Sequence, residues 1–240
     1  MTGEPLVIVG AAGTGRETLD IVDAMNREGA GIDVLGVLDD SPAPAHLERL
    51  GARNVPFLGG VDDWLTSSSE PCSFVIAIAW PQVRRAIADV FEEAGHLPAI
   101  LVHPQAIIGS QVNLGAGSVV YPGAQISTNV NIGRYAILNA QCYIGHDSVL
   151  DNYVSVNPGA RISGEVFCGQ EALIGGSSTI LQGLAIGEQT IVGASALVTR
   201  SVPGGVTVKG VPGRWDFNST SRNAQSIPAA KTNDRKKQTS

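Results

Sequence analysis

The sequence predicts an α/β domain of parallel strands over residues 1–103, a left-handed parallel β-helix over residues 104–215, and a disordered tail over 216–240. Three observations lead there. From Ala106 to Ser201 the chain divides into sixteen hexapeptides with no insertion; the third slot is aliphatic in fifteen of them and Cys168 in the other. The fourth slot is often Gly, as at Gly109, Gly145 and Gly187. Before the repeats, short apolar runs without polar alternation are separated by stretches with helical spacing, the pattern of a parallel sheet covered on both faces.

A period of six cannot follow a helix of 3.6 residues per turn, and each interior Gly would destabilise a helix by roughly 1 kcal/mol. Strands of two or three residues joined by tight corners satisfy both facts, and hexapeptide repetition is the signature of a parallel β-helix. The spacing resembles the left-handed kind, in which three hexapeptides make one triangular coil. Ninety-six residues then give a little over five coils, stacked about 4.8 Å apart. Corners are expected at Gly, Asn or Asp, which tolerate left-handed dihedrals. The third-slot side chains form the inner columns, each worth roughly 1.5–3 kcal/mol when buried. They are therefore core and not site.

In the first domain Leu6 to Val9 reads as a buried strand, followed by the turn Gly10-Ala-Ala-Gly-Thr-Gly15. Arg16 to Glu28 is a helix with Leu19, Ile21, Val22 and Met25 on one face. Val34 to Leu38 is a second strand ending in Asp39-Asp40, after which Pro42 and Pro44 indicate a loop. Val61 to Leu65 reads as a short helical turn and Phe74 to Ala79 as a third strand. Pro81 opens a helix to about Ala94. Ala99 to Val102 then leads through His103-Pro104 into the repeats, and Val206 to Val211 adds a last short strand. From Asn218 onward almost nothing is apolar, which cannot offset the entropy of ordering.

Composition narrows the function classes. Aromatics make up 5% of the chain and Gly numbers 29, as suits a narrow interior. The net charge of −6 is uneven: residues from Asp216 onward carry +3 and the body −9. An acidic body argues against nucleic acid as a partner. Cys72, Cys142 and Cys168 lack metal-like spacing and read as packed, reduced thiols. The first ten residues do not form a signal peptide and no run approaches a membrane span, so a cytoplasmic protein with no membrane-spanning segment is expected.

Two motifs carry chemistry. The glycine turn after the first strand directs backbone N–H groups and a helix start towards an anion. Its G-x-x-G-x-G spacing differs from the dinucleotide G-x-G-x-x-G, which weakens a nicotinamide or flavin reading. It reads either as a bare strand-to-helix connection or as the seat of a nucleotide-type ligand, and Asp39 with Asp40 after the second strand favours the latter. In the repeats, His146 is the only His, at the corner Ile144-Gly-His-Asp147. An imidazole accepts a proton near neutrality, and a neighbouring carboxylate can hold its tautomer and support the imidazolium. The spacing alone fits equally a solvated corner His beside a turn Asp.

Gly10-Ala-Ala-Gly-Thr-Gly15 with Asp39-Asp40, His103-Pro104, Asn139 to Asp147, Val154 to Ala160 and Gly210-Val-Pro-Gly213 together resemble one family, over roughly residues 5–215. It is that of the bacterial acetyltransferases that modify amino sugars on nucleotide carriers, relatives of the sialic acid O-acetyltransferases and UDP-4-amino-sugar N-acetyltransferases. The resemblance implies a homotrimer of left-handed β-helices, each with a Rossmann-like N-terminal domain that holds the nucleotide-linked amino sugar. It places acetyl-CoA in the groove between two helices and calls for no metal. Matched by position, His146 is the general base and Asp147 the acid that orients it, with Asn139 near the acceptor. Gly164, Gly176 and Ala194 line the acetyl-CoA groove. Ala12, Gly13 and Thr14 form the phosphate turn, Asp39 and Asp40 the nucleoside contact, and Ala79 ends the third strand.

There are three departures from the family pattern. Ser155 stands where the family commonly has a second His near the thioester, and it can donate a hydrogen bond but carry no positive charge. The family's Gly-His-Gly turn is Gly13-Thr14-Gly15 here, and its Gly after the third strand is Ala79, followed by Trp80. The function implied is acetyl transfer from acetyl-CoA to an amine on a nucleotide-linked sugar. The rivals are transfer to a hydroxyl, as on a sialic acid, and a non-catalytic trimeric sugar-nucleotide scaffold.

Overall fold

The computed structural model describes residues 3–67 and 70–216, so the expected tail lies outside the described residues apart from Asp216. The first domain runs β1 (Glu4–Val9), α1 (Gly13–Arg27), β2 (Ile32–Leu38), α2 (Pro44–Gly51), β3 (Phe57–Gly59), α3 (Val61–Ser67), β4 (Ser73–Ile76), α4 (Pro81–Glu93) and β5 (Leu97–Pro98). Its strands pair in parallel in the order β3-β2-β1-β4-β5. Alternate residues of β1 feed two cores: Leu6 and Ile8 pack with Leu19, Ile21 and Val22, whereas Val7 and Val9 pack with Phe74, Ile76 and Phe91. The sheet reverses its winding at β1, between β2 and β4. In such sheets the crevice at the strands' carboxyl ends is where ligands bind.

Three short elements depart from expectation. The stretch after Pro42 is a helix, α2, because Pro44 sits at its first turn, where a missing N–H costs nothing. β3 and β5 have only three and two residues and leave too little pattern to read. The third strand stops at Ile76, and Ala77 to Trp80 form the connection into α4.

The repeats form a three-faced prism, the left-handed parallel β-helix expected. Among the described residues the first face has seven strands, from Leu101–Val102 to Thr207–Val208. The second has six, from Ile107–Ile108 to Leu197–Val198, and the third five, from Asn113–Leu114 to Ala185–Ile186. Strands stack eighteen residues apart, as in Gln125 on Tyr143 and Tyr143 on Arg161. The third-slot residues Ile144, Val156, Ile162, Cys168 and Ile174 are fully buried in one column system. Burial pushes the Cys142 and Cys168 thiols up to about 12.

The fourth-slot glycines answer to close approach between coils: a Cβ on Gly145 would lie 2.4 Å from the Gly164 nitrogen. Left-handed backbone falls two residues later in each repeat, at every sixth residue from Gln111 to Ser195. Those corners were expected to need Gly, Asn or Asp, yet Tyr135, Tyr153, Glu165 and Glu171 occupy them at φ near 60°. Stacking supplies the reason. From Gly123 onward each corner N–H donates to a carbonyl one coil back, Tyr153 to Arg134 at 2.7 Å and Glu165 to His146 at 2.7 Å. The bond offsets a left-handed conformation that costs an L residue roughly 1–2 kcal/mol.

The α/β domain sits on the outside of the first face. Leu101, Val119 and Ile137 share a core with Leu6, Ile8 and Leu19, while Tyr135 joins Phe74 and Phe91. Tyr121 Oη lies 3.1 Å from Thr18 Oγ1, tying α1 to the edge between first and second faces.

Candidate active site

His146 lies at the edge between second and third faces, the edge of the prism opposite the face that the α/β domain covers. The corner residue Asp147 is left-handed (φ 58°), which turns its carboxylate back towards the preceding side chain. His146 Nδ1 then sits 2.7 Å from Asp147 Oδ2, with the His side chain 44% exposed. Asn129, one coil back, donates to the other carboxylate oxygen. The Asn129 hydrogen bond, then that of His146, hold the Asp147 carboxyl below the usual carboxylate range. With Asp147 on Nδ1, the Nε2 nitrogen of a neutral ring keeps its lone pair for a proton.

Gly164, one coil further, is buried against the imidazole: a Cβ there would lie 2.5 Å from His146 Nε2 and 2.6 Å from Cε1. Its missing side chain leaves the space that the ring occupies. Glu165 adds a second carboxylate, with an oxygen within 4.8 Å of a His146 ring nitrogen and of an Asp147 oxygen.

The other site residues read from the sequence divide between two further places. Gly176, Ala194 and Asn139 lie along the edge between first and second faces. Ala194 is exposed, and Asn139 Nδ2 donates to the Val156 carbonyl at 3.1 Å. The exposed Ala12 and Gly13 and the half-buried Thr14 form the turn at the start of α1, whose N-cap Ala12 provides no side-chain acceptor. Tyr121, from the same prism edge, donates to the Thr14 carbonyl at 3.3 Å. Asp39 accepts from the Ala11 N–H at 2.8 Å and from the Ser41 N–H at 3.0 Å, so it shapes the glycine turn. Asp40 accepts from the Val61 N–H at 2.8 Å and caps α3.

Ser155 is buried inside the domain contact, where Oγ donates to the Ala79 carbonyl at 2.9 Å. Within one chain, then, the residues matched to the acetyl-CoA groove are split: Gly164 lies beside His146, whereas Gly176 and Ala194 stand on another edge of the prism.

Arg84 escaped the sequence reading. It is 1% exposed, and its guanidinium donates to the carbonyls of Ile78 (2.8 Å), Ala79 (2.9 Å), Tyr135 (3.1 Å) and Tyr153 (2.6 Å). Burial lowers its pKa to about 9, and the four carbonyls compensate the charge at neutral pH. Beside it Arg85 pairs at 3.0 Å with the buried Glu171. The available signal was an Arg interrupting the apolar stripe Pro81, Ala88 and Phe91 of α4.

Comparison with known proteins follows the same division. Residues 5–91 match the family model described as the PglD N-terminal domain. No curated protein matches the chain by sequence. Among solved structures, WeeI from Acinetobacter baumannii AYE is 28% identical, with TM-score 0.77 over 88% of this chain and 99% of that one. A mutant of perosamine N-acetyltransferase from Caulobacter crescentus, in complex with CoA and GDP-perosamine, is 27% identical, with TM-score 0.78 over 89% and 97%. The acetyltransferase domain of PglB from Neisseria gonorrhoeae FA1090 is 25% identical, with TM-score 0.77 over 88% and 99%. The chain thus shares its N-terminal domain with that family model and is similar to these acetyltransferases along nearly their whole length.

Proposed function

We propose that the chain transfers an acetyl group from acetyl-CoA to the amine of a nucleotide-linked sugar, with His146 as general base, at seams between neighbouring copies in a homotrimer. The observation that carries this reading is the braced imidazole: Asp147 on Nδ1, Asn129 behind Asp147, and Gly164 giving the ring its place. The amine nitrogen attacks the thioester carbonyl while Nε2 takes its proton. Asp147 supports the imidazolium. The Gly164 N–H, next to the ring, steadies the oxyanion, and CoA leaves as the thiol once it regains a proton. No covalent enzyme intermediate is required, because an oriented free amine is already a competent nucleophile.

The division of the site residues supports the trimer. A neighbouring copy that sets its first–second edge, with its glycine turn, against this chain's second–third edge unites Gly176, Ala194 and the acceptor turn with His146. Acetyl-CoA then runs along the seam, and Ala12 to Thr14 receive the phosphates at the uncapped start of α1. Asp39 and Asp40, at the end of the neighbouring strand, face the nucleoside. Three buried free thiols favour a reducing compartment, so the trimer is read as cytoplasmic.

The test is thiol release from acetyl-CoA with a panel of UDP- and GDP-linked amino sugars. One of the panel should serve as acceptor, and His146→Ala should lower kcat by about 10²–10⁴-fold with acetyl-CoA affinity nearly unchanged. Full turnover in that variant would remove His146 as the base. Equal rates with the matching hydroxyl sugars would remove the amine.

A further inference from the structure

Trp80 is 57% exposed, the most exposed of the three tryptophans' indoles to stand clear of the cores. Trp64 packs against Phe91 at 5.9 Å between centroids, and Trp215 lies under the Arg200 guanidinium at 4.5 Å. Trp80 has no such ring or cation partner among the described residues and belongs to none of the three cores. Folding gives no reason for an indole there, yet the backbone beneath it is unusually well held. Arg84 donates to Ile78 and Ala79, Ser155 donates to Ala79, and Pro81 starts α4 immediately afterwards. A buried cation and a buried hydroxyl thus hold one exposed aromatic residue in place.

Its position gives that arrangement a use. The sheet order brings the carboxyl ends of β2, β1 and β4 side by side. They present in turn Asp39-Asp40, the glycine turn with the start of α1, and Ala79-Trp80. The glycine turn runs against the residues that lead into Ala79-Trp80: a Cβ on Gly10 would lie 2.8 Å from the Ala77 carbonyl and 3.1 Å from the Ile78 side chain. Neighbouring strands are about 4.8 Å apart, so three strand ends cover about 10 Å. A nucleoside, a diphosphate and a sugar form a linear ligand in that same order. With the acids at the nucleoside and the helix start at the phosphates, the sugar ring falls at Trp80. The carbon-bound hydrogens on one face of a sugar are weakly positive and suit the negative face of an indole.

We propose that Trp80 is the platform on which the sugar ring of the acceptor stacks, so that it selects the sugar and leaves nucleoside recognition to other residues. This rests on the nucleotide-sugar reading above. The held backbone means that little order is lost on stacking.

The experiment is a tryptophan-fluorescence and calorimetric titration of the full-length protein with UDP, GDP, UDP-N-acetylglucosamine and GDP-mannose as probes. It uses the native chain, Trp80→Phe and Trp80→Ala, each sized by light scattering. In the native chain a nucleotide sugar should bind more tightly than its parent diphosphate and quench the exposed indole, whereas the diphosphate should quench little. Trp80→Ala should weaken the nucleotide sugar about three- to tenfold, leave the diphosphate unchanged and keep the native assembly size. Trp80→Phe should retain most of the affinity.

Equal weakening of sugar nucleotide and diphosphate would overturn the proposal in favour of base stacking. A changed assembly size would overturn it in favour of a contact between copies, and unchanged affinities would leave Trp80 no ligand role. If the native chain binds none of the probes, the nucleotide-sugar reading itself falls and this proposal with it. Binding by the native chain with an indifferent Trp80→Ala removes only the latter.

Discussion

Tyr135 and Asp147 occupy equivalent corners of the solenoid, both left-handed, at φ 56° and 58°, and both donate their N–H one coil back. Tyr135 is buried under the α/β domain, stacked on Tyr153 at 5.2 Å, bonded to Glu92, and its carbonyl is held by Arg84. Asp147 is exposed and spends its carboxylate on His146 and Asn129. The stack imposes the same backbone on both, so the side chain is free to serve whatever covers the corner. Where the α/β domain covers it, the corner is an adhesive. Where no described residue covers it, the corner braces His146, the proposed base.

That contrast can be tested from its larger side first. Tyr135→Ala should cost about 3–5 kcal/mol, seen as a lower urea midpoint, because it removes an aromatic from the shared core. A midpoint within error of the native chain would mean that the domain contact does not depend on this corner.

On the bare side, Gly164→Ala should leave the urea midpoint nearly unchanged, since the atoms it meets are the mobile end of His146. The displaced ring should lower kcat about 10²-fold. Native kcat in a folded Gly164→Ala protein would show that the ring has latitude at the seam.

The smallest effect is electrostatic. Asp147 has its pKa lowered, so its bonds to Asn129 and His146 are present above the ordinary carboxylate range and lost as pH falls through the depressed value. Asn129→Ala removes the larger cause. The Asp147 carboxyl should then titrate at higher pH by NMR, and the acid limb of kcat/KM should move up with it. An unmoved titration would place the stabilisation elsewhere.

Much of this was legible because the solenoid repeats. A slot that is apolar every six residues from Ile108, and buried from Val120 onward, leaves one architecture, and the lone His146 within the repeats was visible for the same reason. The corners were misjudged because residue preference was weighed where coil-to-coil hydrogen bonding decides, as at Glu165 and Tyr153. The domain contact was illegible: Arg84, Ser155 and Glu171 lie far apart in sequence, and nothing local marks them as partners. Asp39 and Asp40 were found by their place after β2, but their hydrogen bonds to Ala11 and Val61 depend on loops that composition does not describe.

The central claim is that the base of one copy serves the acceptor turn of the next. Co-expression of two inactive chains under different tags tests it directly. One carries His146→Ala; the other carries Gly13→Trp, which blocks the turn at a position with no atom within 4 Å of a new Cβ. Every mixed trimer then contains one seam with both parts intact, so doubly tagged material should recover about one-third of native activity. Mixed trimers as inactive as either parent would show that base and acceptor turn belong to the same chain, and would contradict the account.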